Sequence, residues 1–183
     1  MQAESFLAGI QLAMAAMLFV LLLGGVFVLF EVGNFILVYR LARRLLHTPE
    51  TISRVLWIYA GLFPPLYAML GFFDGVALFF ILLALELLLA EKRFGSAMAV
   101  GLGCMVKIVP ALILPVAARR LWHQYRANNR EAGIEIGLYA VTFGLTVLLL
   151  LAPFILWPAL TGNPQWWPAT CRSMLGSKSG EAV

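Results

Sequence analysis

Long apolar segments alternate with short basic ones along this chain. The first apolar segment extends from Phe6 to about Val38 and is followed at once by the basic "YRLARRLLH". Further apolar segments run from about Val55 to Leu70, from Val76 to Ala90 and from Ile136 to Ala159. A helix needs about 20 apolar residues to cross a bilayer core about 30 Å thick. The pattern therefore predicts an all-α chain that crosses a membrane several times.

Two of these segments contain residues that interrupt helices. As one helix the first would be roughly 50 Å long, so we predict one helix before Gly24-Gly25 and another after it. The earlier one would lie at the interface or be only partly inserted. In the next segment Pro64 and Pro65 each remove a backbone donor, which predicts a kink or a break.

The stretch "CMVKIVPALILPVAARR" departs from this pattern. Residues 95–118 are 24 in number, with Lys92-Arg93 before them and Arg119-Arg120 after them. Basic residues concentrate in cytoplasmic loops, so both ends are expected on the same side, and the segment is too short for two full crossings. We favour two short half-helices that meet near Lys107–Pro110. The alternative is one crossing, which would place one of the two basic ends outside the cytoplasm.

Composition supports a membrane protein. Hydrophobic residues make up 62% of the chain and charged residues 12%, against about 45–50% and about 25% in soluble domains. The net charge of +4 comes from short clusters between apolar segments, so a nucleic-acid partner is not expected. The two cysteines have no metal-ligand spacing, and no nucleotide-binding loop or cofactor motif is present.

These observations give one transmembrane domain over residues 1–183, with about four full spans and one broken hairpin. The basic loops would be cytoplasmic, in the cytoplasmic membrane if the source is bacterial. Residues 158–183 would form an extracytoplasmic tail. Trp157, Trp166 and Trp167 lie where an outer aromatic belt is expected.

Lys107 is the sharpest candidate for chemistry, because a charge inside a helical span costs on the order of 2.5–3.5 kcal/mol. It could reach an interface through its flexible stem. Alternatively it lies in a cavity at the tip of two short helices, since non-helical backbone at membrane depth must be buried in protein or line a cavity. An ammonium there would suit the phosphate of a lipid carrier.

Three other charged residues are weaker candidates. Asp74 in "GFFDG" is either a helix cap at the water interface or a carboxylate at the mouth of the same cavity. Arg172 in "CRSML" is either a surface residue or a ligand for an anionic head group. Glu31 lies within an apolar helix, where a hydrogen bond to Asn34 is at least as reasonable as catalysis.

The stretch from "GFFDG" to "VAARR", with "VGNFILVYRLARRL" and "CRSMLG", resembles polytopic glycosyltransferases of the GT-C superfold. The closest likeness is to the polyprenol-phosphate-mannose-dependent type, family 87 and the catalytic subunit of GPI mannosyltransferase I. The matching positions in order are Gly71, Asp74, the break Glu91–Arg93, Gly95, Gly101, Gly103, Lys107 and Pro110.

This resemblance implies a GT-C-like helical bundle and an inverting hexosyltransferase, with mannose as the family-level sugar. Its donor would be a sugar on a polyprenyl phosphate, and its site would face the extracytoplasmic side of the bilayer. Lys107 would stabilise the departing phosphate, and Asp74 and Arg172 would complete the substrate-binding set. No metal or organic cofactor is implied.

The chain also departs from that family. Its members carry a catalytic acid in the first outer loop, after an initial span, and continue through further spans beyond "RSML". We therefore expect a fragment and assign no catalytic residue. The alternative is a non-enzymatic membrane protein, such as an accessory subunit or a transporter component.

Overall fold

A computed structural model describes the backbone of residues 2–70, 74–125 and 129–160, and the side chains of 11–62, 75–125, 130–154 and 156. In these ranges the chain is all-helical, with no strand, which confirms the all-α part of the predicted fold class. The helices are α1 (Gln2–Leu45), α2 (Pro49–Leu70), α3 (Asp74–Leu89), α4 (Arg93–Val106), a 3-10 helix (Val109–Leu112), α5 (Ile113–Gln124) and α6 (Asn129–Leu160).

The predicted break at Gly24-Gly25 is wrong. Helix α1 is one continuous element of 44 residues, and both glycines lie within it. Two interior glycines cost about 2 kcal/mol relative to alanine, but each keeps its backbone donor and acceptor. Glycine therefore weakens this helix without interrupting its hydrogen-bond ladder.

Helix α2 also continues through the residues expected to interrupt it. It runs to Leu70 past Pro64 and Pro65, so the chain is not broken there. Proline fixes φ near the helical value and removes one donor. Because the two prolines are adjacent, the missing donors are neighbours, and the hydrogen bonds on either side can continue the helix.

Helix α3 is the central helix of the bundle. It is apolar on nearly all its faces, which is typical of a helix that is surrounded by others. Gly75 and Phe79 lie against α1, whereas Ala84 accepts a hydrogen bond from α4 and Leu88 packs with α4, α5 and α6. Helices α1 and α4 therefore cover opposite faces of α3.

The contacts between helices fix their directions. Asn34 meets Gly75 and Arg40 meets Glu86, so α1 and α3 run the same way. Helix α4 runs back along α3, because Ser96 near its start bonds to Ala84 and Gly103 near its end lies against Phe80.

The basic side chains collect at one end of the bundle, as a consequence of these directions. This basic end is formed where α1, α3 and α5 finish and where α4 and α6 begin. It contains Arg40, Arg43, Arg44, Lys92, Arg93, Arg119, Arg120 and Arg130.

The core lies among α3, α4, α5 and α6 and contains many small residues. Its buried members are Ala84, Leu88, Ala97, Ala99, Val100, Ile113, Ala117, Leu121 and Tyr139. A Cβ on Gly101 would lie 2.9 Å from Thr146 of α6, and one on Gly103 would lie 2.7 Å from Phe80 of α3. Small residues therefore let α4 approach both neighbours closely, as they do where helices pack inside membranes.

Two described segments are long and apolar enough to cross a bilayer. They are Gln11–Leu45, with mean hydropathy 2.7, and Arg130–Phe154, with mean hydropathy 2.1. Their most apolar windows are 0% and 6% buried, respectively. The core helix of a soluble protein would be mostly buried, so the exposure of both segments supports association with a membrane.

Candidate functional site

Lys107 lies at the break between α4 and the 3-10 helix. Helix α4 ends at Val106, and Lys107 is extended, with φ −156° and ψ 146°. Its backbone N–H still donates to the carbonyl of Gly103 at 2.9 Å, while its side chain is exposed. The lysine therefore lies at the tip between two short helices, and its placement in a cavity remains a prediction.

Pro110 explains why the chain turns here. It is buried at the start of the 3-10 helix and packs against Gly103, where a Cβ would lie only 2.9 Å from its ring. Proline disfavours helical geometry at the residue before it and removes a donor. The combination of Gly103 and Pro110 ends α4 and starts the return of the chain.

The other ends of the two short helices are held together at the basic end. Arg93 at the start of α4 donates to the hydroxyl of Tyr125 after α5 at 2.7 Å. The same guanidinium pairs with Glu135 of α6 at 2.6 Å. A cleft of about 450 Å³ lies beside this contact, lined in part by Lys92 and Gln124. The 3-10 helix and α5 thus return the chain from Lys107 to the level at which α4 began.

Asp74 and Arg172 remain predictions. The backbone of Asp74 begins α3, and since α4 runs antiparallel to α3, Asp74 and Lys107 share the end of the bundle opposite the basic end. The side chain of Asp74 lies outside the described residues. Arg172, together with Trp166 and Trp167, lies outside them as well.

A polar cluster lies on the other face of α3, at the same end as Lys107. It consists of Glu31 and Asn34 from α1, Tyr59 from α2 and Gly75 from α3. The Tyr59 hydroxyl donates to Glu31 Oε2 at 3.1 Å, and Asn34 Nδ2 donates to the Gly75 carbonyl at 2.9 Å. The amide of Asn34 thus bonds to α3, and the carboxylate of Glu31 bonds to α2.

Asn34 leaves one polar atom without a partner in this cluster. The residue is 0% exposed, and its Oδ1 has no hydrogen-bond donor among the described groups. Gly75 is required for the close approach, because a Cβ there would overlap Glu31 Oε1. The cluster is therefore tightly packed and richer in acceptors than in donors.

Glu86 lies near the end of the apolar helix α3, where the structure buries it. The residue is 2% exposed, and its two carboxylate oxygens each lie 3.2 Å from an arginine Nε, that of Arg40 and that of Arg44. Two arginines one helical turn apart on α1 indicate a shared partner. The partner itself lies on another helix, so no local pattern identifies it.

A second buried polar contact joins α4 to its neighbours. Ser96 is 0% exposed; its hydroxyl donates to the Ala84 carbonyl at 2.8 Å and lies 3.0 Å from the hydroxyl of Tyr139. It fixes the first half of α4 between α3 and α6. Because Ser96 already has two partners, we assign it a structural role.

No protein-family model matches this chain, and searches of curated proteins and of solved structures found no match either.

Proposed function

We propose that this chain is part of a membrane glycosyltransferase of the GT-C type, in which Lys107 binds the phosphate of a polyprenyl-phosphate sugar donor. The observation that carries the proposal is the position of this lysine at a helix break between two short apolar helices. The sugar, mannose in the resembling family, and the acceptor follow from the resemblance alone.

A multi-pass arrangement accounts for the exposed apolar surface. Exposed large side chains occur along α1, α2 and α6, for example Leu18, Trp57 and Leu149. The basic residues gather at one end of the bundle, which the charge bias of membrane proteins would place in the cytoplasm. Lipid would cover the apolar surface, and the opposite end would face the extracytoplasmic side.

In that orientation the tip at Lys107 stays within the bilayer. Helix α4 has 14 residues and α5 has 12, so they are about 21 Å and 18 Å long. Both begin or end at the basic end, and both are shorter than a hydrocarbon core of about 30 Å. The tip would therefore lie below the outer surface, at a depth that a lipid-linked phosphate can reach from the side.

The chemistry follows from the charge that develops on the leaving group. The acceptor hydroxyl would attack the anomeric carbon as the bond from that carbon to the phosphate oxygen breaks. The phosphate would leave with the electron pair, and a base would take the hydroxyl proton. A cation fixed where this charge develops lowers the barrier. Lys107 is our candidate for that cation, and no residue is assigned as the base.

Donor binding tests the role of Lys107 directly. The full chain would be placed in nanodiscs and titrated with a polyprenyl phosphate, comparing wild type with Lys107→Ala and Lys107→Arg. Hydrogen bonds to charged groups are worth about 1.5–3 kcal/mol, so we expect Lys107→Ala to weaken binding at least tenfold. Lys107→Arg should retain most of the affinity, because it keeps the charge.

The neighbouring residue provides the matched control. Ile108 is 80% exposed and apolar, so Ile108→Ala changes the same break without changing charge and should bind as wild type. Equal binding by wild type and Lys107→Ala would refute the phosphate role. Radiolabelled polyprenyl-phosphate-mannose, added to membranes containing the chain, tests transfer separately.

A transporter component is the second candidate. It is favoured by the half-buried Glu31 and the buried Asn34 on an apolar helix, since ionisable groups within membrane helices often line ion or substrate paths. Ion-linked uptake into vesicles, lost in Lys107→Ala and without sugar transfer, would support it over the transferase.

A further inference from the structure

We propose that Glu31 and Asn34 form a binding site for a small monovalent cation, either a sodium ion or a proton. The site lies where α1 meets Tyr59 of α2 and Gly75 of α3. It is separate from Lys107, which lies on the opposite face of α3. The inference rests on the membrane part of the proposed function and does not depend on sugar transfer.

The depth of Glu31 provides the first reason. It lies 14 residues before the end of α1 at Leu45, which is about 21 Å along the helix axis from the basic end. In a bilayer core of about 30 Å this position is within the hydrocarbon. A carboxylate there must be neutralised, paired or bound to a cation.

No described basic side chain is placed to pair with Glu31. Its hydrogen-bond partner on α2 is the neutral Tyr59. Arg54 precedes Tyr59 by five positions and lies toward the basic end. On α3 the described ionisable residue is Glu86, which is engaged by Arg40 and Arg44.

The count of donors and acceptors provides the second, independent reason. Tyr59 donates to Glu31, and Asn34 donates to the Gly75 carbonyl. These bonds use the Tyr59 hydroxyl and one N–H of the Asn34 amide, and the fully buried Asn34 Oδ1 has no donor among the described groups. An unsatisfied buried acceptor costs about 1–3 kcal/mol.

A small cation satisfies both requirements at once. A sodium ion takes carboxylate and amide oxygens as ligands and neutralises Glu31. A proton on the carboxylate removes the charge and provides a donor. A substrate hydroxyl would satisfy the acceptor but leave the charge, which is why we favour a cation.

The first measurement uses a hydrophobic carbodiimide, which adds to carboxyl groups that carry a proton within an apolar environment. The unmodified full chain in lipid would be treated with and without sodium, and the labelled residue identified by peptide mass spectrometry. Glu86 is the internal control, since it is a carboxylate of the same bundle that is paired with two arginines. We expect label on Glu31 and none on Glu86.

Sodium then distinguishes the two cations. If sodium blocks the labelling of Glu31 and raises the melting temperature, while potassium does neither, the site binds sodium. If labelling occurs regardless of sodium and the melting temperature does not respond, the site binds a proton. The absence of both labelling and a sodium effect would overturn the proposal, as would equal labelling of Glu31 and Glu86.

Two variants test the ligands. Glu31→Gln removes the charge with little change of shape and should abolish both the labelling and any sodium-dependent rise in melting temperature. Tyr59→Phe keeps the carboxylate and should retain the response. A sodium response that persists in Glu31→Gln would contradict the assignment. Because the labelling test uses unmodified protein, its outcome does not depend on whether either variant folds.

Discussion

At the scale of single residues, Lys107 and Glu86 show what the sequence can and cannot predict. The helix break at Lys107 was predictable because one charge interrupts an apolar run and a proline follows three positions later. Both signals are local, and the structure has the helix break at that point. The ion pairs of Glu86 with Arg40 and Arg44 join residues more than 40 positions apart. A contact between such distant residues produces no periodic pattern in a single sequence.

Removing both arginines from Glu86 should destabilise the protein more than the two single changes combined. Each arginine is partly exposed, at 57% and 41%, whereas the Glu86 side chain is 3% exposed. Arg40→Ala or Arg44→Ala alone leaves Glu86 with one arginine partner. Each should lower the free energy of unfolding by less than about 1 kcal/mol. The double variant leaves a buried carboxylate without a partner. We expect this to lower the free energy of unfolding by an amount at the lower end of about 3–5 kcal/mol. Thermal unfolding in detergent measures these differences.

Glu86→Gln provides the control for that series. In the double-alanine background it removes the unpaired charge and should restore most of the lost stability. Additive single effects, or no rescue by glutamine, would show that the ion pairs are not responsible for the loss.

At the scale of helices, the errors and the successes of prediction have separate causes. The pair of short helices was predictable because basic residues flank an apolar segment that is too short to cross twice. The break at Gly24-Gly25 was not observed, because glycine costs stability without removing a hydrogen bond. The central position of α3 was not predicted, although its uniform apolarity was visible in the sequence.

The close packing of α4 can be tested with paired glycine substitutions. A Cβ at Gly103 would meet Phe80 and Pro110 at 2.7–3.0 Å, whereas one at Gly144 of α6 has nothing within 4 Å. Gly103→Ala should therefore lower stability by about 1–3 kcal/mol through overpacking. Gly144→Ala should be neutral or stabilising by up to about 1 kcal/mol, from helix propensity. Unfolding in detergent compares them, and equal effects would contradict the packing.

At the scale of the whole molecule, the arrangement of basic residues predicts a topology. In a background with Cys104→Ser and Cys171→Ser, single cysteines would be introduced at Lys92, Gln124 and Ile108. A membrane-impermeant maleimide should label the first two positions from the same side, because both line the cleft at the basic end. Ile108, at the tip between the short helices, should not be labelled from that side.

Inside-out and right-side-out vesicles provide the two orientations for this labelling. If positions 92 and 124 react from opposite sides, the segment crosses the bilayer once and the paired short helices are not a re-entrant element. Release of the unmodified chain by alkaline carbonate would contradict membrane insertion itself.

The contact between α1 and α3 also has a consequence for biosynthesis. Asn34 and its partner at Gly75 are 41 positions apart, and ribosomes add about 5–20 residues per second. For roughly 2–8 s after α1 emerges, its asparagine and paired arginines therefore have no α3 to contact. During that interval the nascent helix would need an insertase or a water-filled translocon to shelter its polar groups. Production of this protein should consequently be more sensitive to loss of the insertion machinery than its hydrophobicity suggests.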